Sequence, residues 1–172
     1  MIKVGERAPD FEVESCFKGQ FSRVKLNDYK NKWIVLFFYP LDFTFVCPTE
    51  IKGFDALHAE FDRYKAVVLG CSVDSVHSHK AWIERDFKEL KFPLLSDFNK
   101  DMSRRFNVLD EEKGVSQRGT FIIDPERILR YLLVSDDSVG RSISETLRIV
   151  EALQTGEKCP ATWKKGEKTL GK

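Results

Sequence analysis

The 172-residue chain lacks a long hydrophobic run. Its longest, Trp33-Ile34-Val35-Leu36-Phe37-Phe38-Tyr39, falls far short of the roughly 20 residues a spanning helix needs. The amino terminus, Met1-Ile2-Lys3-Val4-Gly5-Glu6-Arg7, has no apolar stretch to serve as a secretory signal, so a cytoplasmic protein is expected. Neither charge is in excess. The formal net charge of +1 gives no electrostatic ground for a nucleic-acid or membrane partner. Cysteine is scarce: Cys16, Cys47, Cys71 and Cys159 are too few and too scattered for a small secreted disulfide framework. No Gly-rich phosphate loop and no flavin or nicotinamide fingerprint occurs. No bound cofactor is therefore expected, and electrons would arrive by thiol exchange. Internal repeats, linkers and low-complexity segments are also missing, which predicts a single domain over 1–172 ending in a polar tail from about 156 to 172.

What is present is easy to read. Short strands are expected around Phe11-Glu12-Val13 and Phe21-Ser22-Arg23-Val24, in an otherwise irregular first 30 residues. Trp33 to Tyr39 is a continuous apolar, β-branched and aromatic run, the pattern of a strand buried on both faces, and Pro40 stops it. Ile51, Phe54, Leu57, Phe61 and Tyr64 recur at spacings of three and four and predict one amphipathic helix, with Cys47 and Pro48 in or just before its first turn. Ala66 to Ser72 reads as the next buried strand. Ile83, Phe87 and Leu90 mark a second helix, Leu94-Leu95 a short strand, and Met102 with Phe106 another helical turn or two. Gly119 to Ile123 and Ile128 to Leu133 flank Asp124-Pro125-Glu126-Arg127, a turn sequence between two strands, hence a β-hairpin. Ile143, Leu147 and Val150 define a last helix, stopped near Gly156. This order indicates an α/β sandwich around one mixed sheet.

Cys47 falls where a buried strand hands over to a helix. Unsatisfied N–H groups at a helix N-terminus stabilise an anion, and only the thiolate of cysteine is a good nucleophile. Position alone leaves two readings open, a reactive thiol and a buried structural one. Thr44 sharpens the reactive reading. A disulfide oxidoreductase would carry Cys-x-x-Cys at this junction; here the spacing survives as Thr44-Phe45-Val46-Cys47 with a hydroxyl for the first thiol. A lone thiol closes no local disulfide, whereas the hydroxyl can hydrogen-bond a polar substrate or the thiolate. Pro40, Phe43 and Phe45 are expected to exclude water.

The segment Tyr39-Pro40-Leu41-Asp42-Phe43-Thr44-Phe45-Val46-Cys47-Pro48-Thr49-Glu50 closely resembles the active-site segment of typical two-cysteine peroxiredoxins, including the thiol-peroxidase component of bacterial alkyl hydroperoxide reductase. The likeness extends over nearly the whole chain. It takes in Ala8-Pro9-Asp10-Phe11, His79-Lys80-Ala81-Trp82, Pro93-Leu94-Leu95-Ser96-Asp97, Arg118-Gly119-Thr120-Phe121-Ile122-Ile123-Asp124, Val139-Gly140-Arg141 and Cys159-Pro160-Ala161. The resemblance implies a thioredoxin-like fold with the peroxiredoxin N-terminal extension, and a peroxidase acting on hydrogen peroxide and organic hydroperoxides. It makes Cys47 the peroxidatic nucleophile, with Pro40, Thr44 and Arg118 completing the site. The residue types suit the chemistry: charge passes from sulfur through the O–O bond to a leaving oxygen, so fixed donors must follow it. Arg118 offers a permanent cation, Thr44 a hydroxyl, and Pro40 a shield. Glu50 and Arg141 are implied as supporting groups, the carboxylate set against the arginines.

By the same resemblance Cys159, in Gly156-Glu157-Lys158-Cys159-Pro160 and near Trp163, is the resolving thiol. An intersubunit Cys47–Cys159 disulfide, a homodimer assembling into a ring such as a decamer, and recycling by thioredoxin or a flavoprotein disulfide reductase are implied with it. The first turn around Cys47 must then unwind to expose its sulfur. One departure matters. Family members easily inactivated by excess peroxide carry a Gly-Gly-Leu-Gly insertion and a carboxy-terminal helix with Tyr-Phe. This chain has Glu84-Arg85-Asp86-Phe87-Lys88-Glu89-Leu90-Lys91 at the first place and Gly171-Lys172 at its end, so resistance to overoxidation is expected; ready formation of Cys47 sulfinic acid at low peroxide would contradict it. Cys16, in an irregular region, is read as a bystander, Cys71 as a small hydrophobe beside a coincidental His77 and His79 rather than a metal site, and Lys164, Lys165, Lys168 and Lys172 as a solvated end. A thiol-disulfide oxidoreductase would want cysteine at position 44. The alternative from another class is a holdase chaperone built on a ring, which would need no thiol.

Overall fold

The computed structural model describes residues 2–172. Strands β1 (Glu12–Phe17) and β2 (Gln20–Lys25) form an antiparallel hairpin, and a 3-10 turn over Leu26–Tyr29 leads to β3 (Trp33–Phe38). There follow α1 (Cys47–Ala56), α2 (His58–Arg63), β4 (Ala66–Ser72), α3 (Val76–Trp82), β5 (Leu94–Ser96) and α4 (Asp101–Arg105). A small hairpin of β6 (Leu109–Asp110) and β7 (Val115–Ser116) precedes β8 (Arg118–Ile123), β9 (Leu129–Ser135) and α5 (Ile143–Thr155). The main sheet has seven strands in the order β2-β1-β5-β4-β3-β8-β9. Its middle, β5-β4-β3, is parallel, and antiparallel strands flank it on both sides.

The period of two along β3 explains why its sequence is apolar throughout. Val35 and Phe37, with Tyr39 just beyond, enter one core together with Ile51 and Phe54 of α1, Phe61 of α2, Trp82 of α3 and Val150 of α5. Ile34, Leu36 and Phe38 enter the other, with Met102 of α4, Phe106, Phe121 and the N-terminal Ala8 and Phe11. One strand thus binds both layers, and the sheet is covered on each face by helices or by the N-terminal segment. The architecture is the α/β sandwich around a mixed sheet that the sequence predicts.

Four expectations are corrected. The single helix over Ile51–Tyr64 is two, because Leu57 leaves helical geometry at φ −94°, ψ 7°. The second helix begins earlier than Ile83, at Val76, where Ser75 caps it by accepting from the Ser78 amide at 3.2 Å. It ends in a π turn over Ile83–Phe87 that leaves Leu90 buried but outside any helix. Cys16 lies fully buried in β1, not in irregular chain, and burial pushes its thiol pKa up. The polar tail is folded: Lys158 N–H donates to Gly171 O and Leu170 N–H to Lys158 O, both at 2.8 Å, around a Trp163 only 4% exposed. The last helix ends as expected at Gly156, with φ 68°. Among the described residues no helix is long and apolar enough to cross a membrane.

Candidate active site

Beyond β3 the chain loops through 39–46 and enters α1 at Cys47. Val46, with no capping side chain, precedes the helix and Pro48 occupies its start. Cys47 is fully buried, packed in the same core as Ile51 and Phe54. The amides of Thr49 and Glu50 turn to Val46 O at 3.0 and 3.4 Å, and Pro48 has none to offer. Little of the helix terminus is therefore free for the sulfur. The donor that reaches it is a side chain: Arg118 Nη1 lies 3.4 Å from Cys47 Sγ.

Arg118, at the start of β8, is fixed at both ends of its guanidinium. Nε donates to Asp137 O at 2.8 Å and Nη1 also donates to Glu50 Oε2 at 2.8 Å. Glu50, one turn into α1, holds a second arginine. Arg141 donates from its backbone amide and Nε to Glu50 Oε1 at 2.9 and 2.8 Å, and from Nη2 to Oε2 at 2.8 Å. Its remaining Nη1 donates to Gly119 O at 2.7 Å, which ties the loop before α5 to β8. All three side chains are at least nine-tenths buried. Burial pushes the Glu50 carboxyl up, but hydrogen bonds and charge from Arg141, with Arg118 behind them, hold it below the ordinary range. Burial works to lower Arg118, yet Cys47 and Glu50 outweigh it and hold its proton more firmly than in a free arginine. One carboxylate against two guanidiniums leaves a net positive charge beside a buried sulfur. Such a site can stabilise a sulfur anion and then an oxygen anion formed next to it.

Cys47, Glu50, Arg118 and Arg141 are thus brought together. Pro40 is half-buried in the loop beside them. Thr44 is also in this loop, but its hydroxyl donates to Leu41 O at 2.9 Å rather than to the sulfur, leaving lone pairs that can only accept. The water-excluding aromatics differ from expectation: Phe45 is 95% exposed, and Phe43 is 43% exposed, its ring against Trp82 and the Arg85 guanidinium. Cys47 is enclosed by the core beneath it instead. Cys159 is not in this cluster. It lies half-buried past the end of α5, its sulfur 3.8 Å from Ala152 O and 3.5 Å from Thr155 Oγ1. All four cysteines are free. Cys71 is buried with Sγ 3.9 Å from Met102 Sδ, and burial pushes its thiol well up.

Sequence reasoning missed a group that adjoins the site. Asp42, Asp74, Ser78 and His79 form a hydrogen-bonded cluster under the 39–46 loop, and Asp137 supplies the carbonyl that orients Arg118. Asp42 and His79 both lie in segments that carry the resemblance, which was the available signal, but only the fold brings them together. Among the described residues no group of three or more His, Cys, Asp or Glu side chains is placed to hold a metal ion.

With this geometry in hand, comparison with known proteins is direct. The AhpC/TSA family matches residues 4–132. The chain is 50% identical over 177 residues to the chloroplastic 2-Cys peroxiredoxin BAS1 of Spinacia oleracea, covering 97% of this chain and 67% of that protein. Among solved structures, the reduced 2-Cys peroxiredoxin of Plasmodium vivax superposes with a TM-score of 0.92 at 41% identity, covering 96% of this chain and 91% of the other. AhpC of Mycobacterium bovis gives 0.87 at 36% identity, covering 95% and 99%. A thiol enclosed at a strand-to-helix junction with a guanidinium on its sulfur, carried on this fold, has one reading: the chain belongs to the AhpC/TSA family, the peroxiredoxins, and is a thiol-dependent peroxidase.

Proposed function

We propose that Cys47 is the peroxidatic cysteine, that Arg118, Thr44 and Pro40 complete its site, and that Glu50 and Arg141 support them. The observation that carries this is the 3.4 Å contact from Arg118 Nη1 to Cys47 Sγ inside a buried cluster. The sulfur attacks one peroxide oxygen, the O–O bond breaks with its electron pair on the distal oxygen, and that oxygen leaves as water or an alcohol after taking a proton. Cys47 becomes a sulfenic acid. Thr44, its own proton committed to Leu41 O, accepts the hydrogen of the incoming hydroperoxide, and Arg118 follows the charge from sulfur to oxygen. Pro40 keeps water from the sulfur.

Cys159 of a second copy of the chain then condenses with the sulfenic acid, releasing water and leaving an intersubunit disulfide. An external dithiol reductase, thioredoxin or a flavoprotein, restores both thiols by exchange. The half-buried position of Cys159 and the complete burial of Cys47 both require local opening before the two sulfurs meet. The unit that acts is the whole chain as one domain, paired as a homodimer in a ring, in the cytoplasm, on hydrogen peroxide and organic hydroperoxides. The holdase reading is not favoured, since nothing in a holdase calls for a guanidinium on a buried sulfur.

The test is a peroxide assay with non-reducing electrophoresis. Cys47→Ser is expected to abolish turnover. Cys159→Ser is expected to consume about one peroxide equivalent per chain, fail to recycle and form no covalent dimer. Continued turnover by either variant overturns the cycle.

A further inference from the structure

The catalytic loop is pinned at Asp42. Its Oδ1 accepts from the Tyr39 hydroxyl at 2.8 Å, and its Oδ2 accepts from the Ser78 hydroxyl at 2.7 Å and meets His79 Nδ1 at 2.9 Å. The other ring nitrogen of His79, Nε2, is 3.1 Å from Leu95 O. A carbonyl can only accept, so Nε2 carries a hydrogen. The Nδ1–Oδ2 contact then needs one further proton, on nitrogen or on oxygen, because two bare acceptors would repel. His79 and Tyr39 are fully buried and Asp42 nearly so. The cluster therefore joins the loop rigidly to α3 and β5.

The backbone extends this control to the site. Asp42 N–H donates to Asp74 Oδ2 at 2.9 Å, an oxygen that also accepts from the Ser72 hydroxyl at 2.7 Å. Ser96 Oγ holds the Asp74 carbonyl at 2.6 Å. The Asp42 amide and the Leu41 carbonyl belong to one planar peptide unit, so fixing one fixes the other. That carbonyl accepts the Thr44 hydroxyl. Between them Phe43 has φ 57°, a left-handed conformation that strains an aromatic residue unless its surroundings impose it. Burial, and then the charge of Asp42, push the Asp74 carboxyl up. Two acidic groups are crowded together where loop orientation is at stake.

We propose that Asp42, Asp74 and His79 are positioning residues for the peroxidase reaction: they set the Leu41–Asp42 peptide plane and hold Phe43 in its strained conformation, so that the Thr44 hydroxyl faces the peroxide at Cys47. The proposal rests on the roles given to Cys47 and Thr44 above. A displacement of about 1 Å in such a group can cost about 100-fold in rate.

The experiment compares the full-length reduced protein with Asp42→Ala and Asp42→Asn. Three quantities are measured: the single-turnover rate of Cys47 with hydrogen peroxide, the rate of Cys47 alkylation by iodoacetamide, and the unfolding midpoint. Alkylation needs the thiol but no oriented hydroxyl. Asp42→Ala is expected to slow the peroxide reaction at least about tenfold without slowing alkylation, a split that loss of stability alone would not produce. Asp42→Asn is expected to stay within about threefold of the parent, because its amide oxygen accepts from Tyr39 while its N–H donates to a neutral His79. A folded Asp42→Ala with an undiminished peroxide rate, or an Asn variant as slow as Ala, overturns the proposal. Should Asp42→Ala not fold, Ser78→Ala removes a single bond from Asp42; an about threefold slowing with unchanged alkylation is expected, and an unchanged peroxide rate overturns the proposal. A parent protein no faster than a free thiol overturns instead the reading of Cys47 itself, and the positioning role with it.

Discussion

Glu50 shares one carboxylate between two guanidiniums at 2.8 Å each, and all three groups are out of water. Removing its charge leaves two buried cations facing each other, one of them on the Cys47 sulfur. Glu50→Gln is therefore expected to lower the unfolding free energy at pH 7 by about 3 kcal/mol, read from urea midpoints. The pH dependence has a definite sign. The folded carboxyl is held below its ordinary range, so the stability it contributes is fully present above the unfolded value, about pH 4.3, and is lost as pH falls through the folded one. The gap between Glu50→Gln and the parent should close on acidification below about pH 4. A gap constant from neutral to acid pH would show that Glu50 acts by shape and not by charge. At the same scale the sequence was candid about residue type but silent about orientation. Thr44 stood out by its place before Cys47, whereas Glu50, Arg118 and Arg141 came only through the resemblance, and the Thr44 hydroxyl turns to Leu41 O while Phe45 points outward. No local pattern encodes where a loop side chain points.

Helix α1 meets α5 at Gly53, where a Cβ would stand 2.8 Å from Ile143 Cγ1. The absence of a side chain lets the helix carrying Cys47 lie directly against the helix that follows Arg141. Gly53→Ala is expected to lower stability by about 1–3 kcal/mol, visible as a lower melting temperature, and to slow the peroxide reaction as α5 and the Arg141 loop are pushed away. An unchanged melting temperature would mean that Ile143 yields freely. Elements with one strong period were legible: β3 and β4 as continuous apolar runs, the β8–β9 hairpin by its Asp-Pro turn, and α5 by its spacing and its closing glycine. The π turn at Ile83–Phe87 was not, because the helix stops at Lys88, φ 67°, and Leu90 is buried beyond its end, so burial there mimics a helical spacing. The β6–β7 hairpin, two residues a side, is too short to show a period.

At the scale of the whole molecule, the tail that composition marks as a solvated end is a closed loop. Trp163 packs inside it, donates from Nε1 to Glu167 O at 3.0 Å, and offers its own carbonyl to Arg148 Nη1 on α5 at 3.0 Å. Polar residues surround one buried ring, so average hydropathy hides the contact. Trp163→Ala is expected to release the tail, raising Cys159 alkylation several-fold while leaving single-turnover oxidation of Cys47 unchanged; equal alkylation would show that the loop is held without its tryptophan. Long-range closure also builds the active site. Cys47 and Arg118 are 71 positions apart and Glu50 and Arg141 are 91 apart, so the site unites the two halves of the polypeptide. On a ribosome adding about 5–20 residues per second, Cys47 is translated about 4–14 s before Arg118. A newborn chain thus carries an ordinary, unguarded thiol, and oxidant encountered in those seconds meets a cysteine rather than an enzyme.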